Sequence, residues 1–306
     1  MIRQNVSLKN YSNYKIGGNA SYFLEVNSRE NLLEGLREWE NKGKIFVLGK
    51  GTNILISEEG FEGLVIHNNI LGIEKNEEKV TVGAGVLVSD FLNFCIENSL
   101  SGFEWAGGLP GTVGGAVRGN AGAFKGETKD SVDNVTSINL NTLKEITRKY
   151  SDLEFGYRKS IFKKSAPDEI IISVVFKLKK GEKDLIRNAV IEKIDYRNLK
   201  HPMDKPSIGS TFKNIPVDKV PLKLMDELKE YVKDDPFPVV PVAKLLFLCD
   251  LKGKREGDAQ ISEKHPNFIV NLGNAKYKDV VFLINFAREK VKEKFGLELE
   301  EEIMYL

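Results

Sequence analysis

The stretch Glu104–Gly126, EWAGGLPGTVGGAVRGNAGAFKG, decides how the rest of the chain is read. Glycines at 107, 108, 111, 114, 115, 119, 122 and 126 open the backbone to positive φ. They also let its N–H groups come close to a ligand, because no Cβ stands in the way. The apolar residues set among them, Leu109, Val113, Ala116, Val117, Ala121 and Ala123, are small or medium in size. This mixture predicts neither an ordinary helix nor a solvated linker, which is rich in Ser and charge. It predicts a buried binding loop lying against a flat ligand. Tight turns between core strands are the plainer reading of the same glycine pairs.

Working outward, 306 residues with 41% hydrophobic content suffice for two domains with sizeable cores. With 45 basic against 44 acidic residues the net charge is +1, so no one-signed field draws in nucleic acid or an anionic membrane. Any phosphate site is local. Cys95 and Cys249 lie far apart, which argues for a reduced compartment and against a disulfide framework or a cysteine zinc site. His67, His201 and His265 show no ligand spacing either, so no metal is expected. The N-terminal MIRQNVSLKNYSNYKIGG has no apolar signal core, and no stretch approaches 18 apolar residues. A cytoplasmic protein without membrane insertion is expected.

A second glycine loop follows the apolar strand Ile45–Leu48: GKGTNILIS, residues 49–57. A strand running into Gly-x-Gly with Thr52 and Asn53 behind it presents backbone amides and a hydroxyl to a phosphate oxygen. It is not a Walker loop, because Lys50 lies between the glycines, and Ile54 occupies the third glycine position of a dinucleotide fingerprint. Val82–Val88, VGAGVLV, fails the same test at Val88 and reads as a tight turn. Ser28 and Ser89 read as N-caps of helices, and 132–140, 145–150 and 169–180 as strands. A connecting helix over 182–199 ends before HPMDKP, residues 201–206. The prolines of 217–242 predict an irregular excursion, Tyr277–Phe295 an amphipathic helix closed by Gly296, and the alternating LELEEEIMYL a strand.

Seven motifs in order, NYKIGGNA (13–20), VLGKGTNILISEEGFEGLVI (47–66), GLPGTVGGAVRGNAGAFKGE (108–127), GYRKSIFK (156–163), IGSTFKN (208–214), GDAQISEKHPNFIVN (257–271) and KFGLELEEEI (294–303), span nearly the whole chain. Together they resemble the UDP-N-acetylenolpyruvoylglucosamine reductase (MurB) family, in its shorter type. The resemblance implies an α+β protein. Residues 1–200 would form an FAD-binding domain of two α+β subdomains, 1–66 and 67–200, with the PCMH/VAO-like flavin fold. A smaller α+β substrate-binding domain, 201–306, would follow.

In that family NADPH reduces a noncovalent FAD, which then passes hydride to the enolpyruvyl double bond of a UDP-sugar during peptidoglycan precursor synthesis. The resemblance implies FAD between the two subdomains, its pyrophosphate embraced by Gly49, Lys50, Gly51, Thr52, Asn53, Ile54 and Leu55 and by Gly111, Thr112, Gly114, Gly115 and Ala116. It places Arg158 and Glu302 with the substrate carboxylate and Ser210 as the proton donor. Tyr157, Lys213, Asn214, Lys244, Gln260 and His265 fall in matching motifs as substrate contacts. The expected partners are the UDP-sugar and NADPH, and the expected state is a monomer. On composition alone the plainer readings stand: Arg158 pairs with a surface acid, Ser210 is a turn residue, and Glu302 is one solvated carboxylate among four.

There are departures from the family pattern. GKGTN stands where GGGSN is usual, Arg118 replaces a residue that is often apolar, and 217–242 is longer than in many short-type members. Two other functions are compatible with parts of the pattern: another FAD-dependent oxidase or dehydrogenase of the same flavin fold, and a catalytically inactive UDP-sugar-binding protein.

Overall fold

In the computed structural model, which describes residues 1–40 and 42–306, the run Glu169–Lys177, EIIISVVFK, is the central strand of a five-stranded antiparallel sheet. The sheet runs Glu145–Lys149, Val132–Asn139, Glu169–Lys177, Lys79–Gly83, Ile73–Asn76. Ile170, Ile171 and Ile172 are all buried, as a continuous β-branched run predicts for a strand covered on both faces. Its neighbour Lys79–Gly83 alternates instead, with Val80 and Val82 buried and Lys79 and Thr81 exposed.

Behind this sheet Phe91, Phe103 and Phe176 form the aromatic heart of a core, with Phe91 and Phe176 ring centroids 4.7 Å apart. Truncating one such ring to alanine costs about 3–5 kcal/mol. A second sheet, ordered Arg3–Ser7, Asn19–Val26, Phe61–Asn68, Lys44–Leu48, packs on helix Arg29–Trp39 through Leu32, Leu33, Leu36 and Trp39. Ser28 caps that helix as expected, accepting the Asn31 N–H at 3.1 Å. Lys44–Leu48 runs parallel to Phe61–Asn68 and delivers the chain to Gly49.

Apart from the strand-end residues Ser7, Asn19 and Phe61, these elements belong to one compact unit, residues 1–6, 20–50 and 62–195. A second unit gathers 7–19, 51–61 and 196–306. Its core includes Tyr14, Ile16 and Leu55 beside the apolar face of helix Tyr277–Phe295. Val280, Leu283, Ile284, Ala287, Val291 and Phe295 of that helix recur at helical spacing and are buried. Gly296 closes the helix at φ 65°, its N–H bonded to Lys292 O at 2.8 Å. Two small three-stranded sheets complete the unit.

Three local expectations change. The glycine-rich centre contains a two-turn helix, Val113–Gly119. The helix expected to start at Ser89 spans Val88–Glu97 with Leu87 at its N-cap, because Val88 N–H bonds Gly111 O and Val113 N–H bonds Val86 O, which fixes Leu87 extended. In LELEEEIMYL, Leu297 and Leu299 are buried between exposed glutamates, yet only Glu301, by a bridge to Phe212, and Met304–Tyr305 pair as strand. The segment 217–242 is a succession of short pieces, the longest being helix Leu222–Leu228. Among the described residues no helix is long and apolar enough to cross a membrane.

Candidate active site

The two glycine loops touch in the first unit. A Cβ placed on Gly49 would lie 2.7 Å from Thr112 Oγ1, so only glycine permits this approach. Thr112 caps helix Val113–Gly119 by accepting the Gly115 N–H at 3.3 Å. The neighbouring amides are engaged too: Val113 N–H with Val86 O, Gly114 N–H with Ala84 O and Ala116 N–H with Thr112 O, each at 2.9 Å. Four successive amides of this helix start are thus used inside the protein, and the glycines here serve close approach. Along the loop at 49–55, Gly49 and Lys50 belong to the first unit and Gly51 to Leu55 to the second. Gly51 has φ 64°, and a Cβ there would sit 2.1 Å from Tyr11 O. Gly51, Asn53 and Leu55 each turn a carbonyl to an N–H donor, from Asn13, Met304 and Leu306 respectively. Within the first unit, Gly49 and the 111–116 turn present largely bare backbone with the Thr112 hydroxyl and no lysine-led triphosphate motif, a chemistry compatible with a diphosphate.

Arg158 occupies a two-residue turn, Gly156–Lys159, closed by reciprocal N–H···O bonds of 3.1 and 3.0 Å. Its φ is 54°, a left-handed conformation uncommon for any residue but glycine, asparagine or aspartate. The guanidinium donates from one terminal nitrogen to Gly122 O at 2.9 Å and lies 5.1 Å from the Tyr157 ring centroid. Lys163 Nζ donates to the Arg158 carbonyl at 3.2 Å. Arg118, the departure in the centre, is largely withdrawn from water, and burial lowers its guanidinium below the ordinary value.

In the second unit Ser210 and Glu302 sit on adjoining segments. Glu302 N–H donates to Thr211 O at 2.8 Å, Phe212 bridges Glu301, and Lys213 N–H donates to Glu300 O at 2.8 Å. Gly209, at φ 82°, turns the chain just before Ser210. Asn267 pins the next two residues: its carbonyl accepts Thr211 N–H at 2.7 Å, its Oδ1 accepts Phe212 N–H at 3.0 Å, and its Nδ2 donates to Phe212 O at 2.8 Å. Asn53 Nδ2 donates to Glu302 O. The Glu302 backbone is therefore fixed on both sides.

The remaining substrate-contact candidates are engaged with the protein itself. Lys213 pairs with the exposed Glu300. Asn214 Oδ1 accepts Val242 N–H at 3.2 Å, and Gln260 Nε2 donates to Gly253 O at 3.2 Å. Lys244 places its ammonium 4.1 Å from the Tyr231 ring centroid and 4.7 Å from that of Phe247. His265 packs edge-on against His201, centroids 4.9 Å apart, with Phe268 against both. Burial, then repulsion from His201, Lys233 and Lys252, takes His265 down to about 3. Burial, then Arg197, Lys264 and Lys233, takes His201 to about 4.

Sequence reasoning assigned no role to Asn120, Asn267 or Ser160, although all three lie inside the seven motifs. For Asn120 an asparagine set among glycines is the available signal, because its amide can replace backbone partners where the chain turns; Asn267, between Pro266 and Phe268, and Ser160 carry no such mark.

A profile described as UDP-N-acetylenolpyruvoylglucosamine reductase, C-terminal domain, matches residues 201–306, and one described as an FAD binding domain matches 20–144. A UDP-N-acetylenolpyruvoylglucosamine reductase from Fervidobacterium nodosum is 37% identical over 98% of this chain and 90% of its own. One from Fusobacterium nucleatum is 36% identical over 99% and 98%. The crystal structure of the reductase (MurB) from Thermus caldophilus superposes with a TM-score of 0.78 at 32% identity, covering 100% of this chain and 99% of that one. Likeness of this extent, over both units and all seven motifs, establishes that the chain belongs to the UDP-N-acetylenolpyruvoylglucosamine reductase family.

Proposed function

We propose that this enzyme reduces the enolpyruvyl group of UDP-N-acetylglucosamine enolpyruvate to UDP-N-acetylmuramate, using NADPH and a noncovalent FAD. The observation that carries the reading is the full-length likeness to reductases of that name. On this reading residues 1–200 hold the flavin and 201–306 the UDP-sugar, and the protein works as a cytoplasmic monomer in peptidoglycan precursor synthesis. Nothing in the likeness favours an oxidase of the same flavin fold or an inactive UDP-sugar binder.

When bound, FAD supplies a hydride, taken from NADPH, to the β carbon of the enolpyruvyl double bond. Negative charge then grows on the α carbon and on the carboxylate beside it. Arg158 answers the carboxylate, because a guanidinium offers two parallel donors and stays charged. Ser210 gives the α carbon its proton. A serine hydroxyl is a weak acid, so it serves only toward a strongly basic carbon held within reach. That demand suits Ser210, whose following residue is bonded at both its N–H and its carbonyl. Glu302 stands with Arg158 at the same carboxylate. Tyr157, Lys213, Asn214, Lys244, Gln260 and His265 hold the rest of the substrate. For Lys213 this means exchanging the exposed Glu300 for the diphosphate, and an exposed pair is worth only about 0–1 kcal/mol.

The test is NADPH oxidation with the full substrate and with an enolpyruvyl ether lacking UDP. Turnover should depend on the full substrate and yield UDP-N-acetylmuramate, because binding energy from the remote nucleotide positions the double bond. Equal turnover of the truncated ether, or oxidation that ignores both, defeats the reading.

A further inference from the structure

One short segment grips the turn that carries Arg158. Residues 118–122, at the end of helix Val113–Gly119 and just beyond it, make three bonds to residues 156–160. Ser160 Oγ donates to Arg118 O at 2.7 Å, Asn120 Nδ2 donates to Gly156 O at 2.9 Å, and the Arg158 guanidinium donates to Gly122 O at 2.9 Å. Ser160 and Asn120 are both fully buried.

Asn120 is itself anchored. Its Nδ2 also donates to Glu127 Oε1 at 2.9 Å, and its Oδ1 accepts the Lys129 N–H at 3.0 Å. Glu127 in turn meets Lys129 Nζ at 2.5 Å. The amide is thus fixed in orientation, with both donor and acceptor ends committed. Its own backbone, at φ 41°, is a conformation asparagine tolerates. Arginine at φ 54° does not share that tolerance, so the turn is held in place from outside.

We propose that Asn120 and Ser160 are positioning residues for Arg158. Asn120 holds Gly156, which opens the turn, and Ser160, just after the turn, ties it to Arg118 O, and together they keep Arg158 in its left-handed conformation and set the direction of its guanidinium. This rests on the role proposed for Arg158 in binding the substrate carboxylate.

Two variants test it. Asn120→Gly removes the amide while leaving a residue that accepts positive φ, and Ser160→Ala removes the second bond independently, should the first variant fold poorly. Stopped-flow flavin absorbance should show reduction by NADPH at the wild-type rate. Reoxidation by UDP-N-acetylglucosamine enolpyruvate should be slower on the order of 10- to 100-fold, the scale expected when a group is misplaced by about 1 Å. In an Arg158→Ala background neither substitution should slow reoxidation further, because both act through that side chain. Wild-type reoxidation in both variants overturns the proposal, and so does an equal loss with or without Arg158, which marks general scaffolding. The Arg158 Nε–H resonance, assigned by its disappearance in Arg158→Ala, gives a readout separate from chemistry. It should shift in Asn120→Gly and Ser160→Ala, and an unmoved signal overturns the positioning role. If Arg158→Ala itself reoxidises at the wild-type rate while the resonance shifts, the role assigned to Arg158 falls and the grip on its turn stands.

Discussion

The side-chain amide of Asn53 donates to the main-chain oxygen of Glu302 at 3.1 Å, while Met304 N–H donates back to Asn53 O at 3.0 Å. A residue of the glycine loop thus sets the backbone that presents Glu302. Asn53→Ala should lower kcat, on the order of 10-fold, and cost about 1 kcal/mol of stability for the lost bond. Asn53→Asp should be worse, since it turns a carboxylate oxygen toward a carbonyl oxygen. Steady-state kinetics with thermal melts decide this, and an aspartate variant as active as the parent refutes it.

Ser210→Ala should separate the two half-reactions. Reduction of the flavin by NADPH is expected at close to the normal rate, because Ser210 has no part in it. Reoxidation by the enolpyruvyl substrate should slow by roughly 10²- to 10⁴-fold, the usual contribution of a general acid. If the variant is reduced slowly yet reoxidised normally, Ser210 is not the proton donor.

The flavin should come away on denaturation. The loops assigned to FAD, 49–55 and 111–116, contain neither histidine nor cysteine to tether it. Acid precipitation of the yellow protein is expected to leave FAD in the supernatant, with the absorbance spectrum of free FAD. Colour retained in the pellet signals a covalent bond and revives the oxidase reading.

How much of the fold and site was legible in the sequence depends on what each element uses for its stability. Glu169–Lys177 and Tyr277–Phe295 announce themselves by apolar periodicity, and the structure places them as expected. Helix Val113–Gly119 was hidden because each internal glycine costs about 1 kcal/mol of helix propensity. The bonds that stabilise it come from elsewhere, at Ala84 and Val86 and from the Thr112 cap. Ser210 and Glu302 could be named from their motifs, but not the pairing that makes them neighbours through Thr211. Asn120 and Asn267 act by bonding the backbone of residues far along the chain, and no spacing rule encodes such partners.

Acid should weaken the fold through the paired histidines. In the unfolded chain both titrate near about 6.5, whereas in the fold burial and neighbouring cations hold His201 at about 4 and His265 at about 3. Neither Nδ1 finds a hydrogen-bond partner among the described residues. Below about pH 6.5 the unfolded state therefore binds protons that the folded state refuses. Their contribution is complete above that pH and is lost progressively as the pH falls through 6.5 toward the folded values. For two protons the slope approaches about 2.7 kcal/mol per pH unit. Urea midpoints from about pH 7.5 to 4.5 should fall more steeply in the parent than in His201→Phe/His265→Phe. Parallel curves rule the pair out.

The parallel pairing of Ile54–Leu55 with Met304–Tyr305 also has a consequence for synthesis on the ribosome. The Asn53 amide must wait for a carbonyl 249 residues downstream. At about 5–20 residues per second, that is a delay of roughly 12 to 50 seconds. Throughout that interval Ile54–Leu55 is an apolar edge lacking its strand partner, the kind of surface that pairs with other chains. Slowing translation of the second half should therefore lower soluble yield, and a holdase chaperone supplied during that window should restore it.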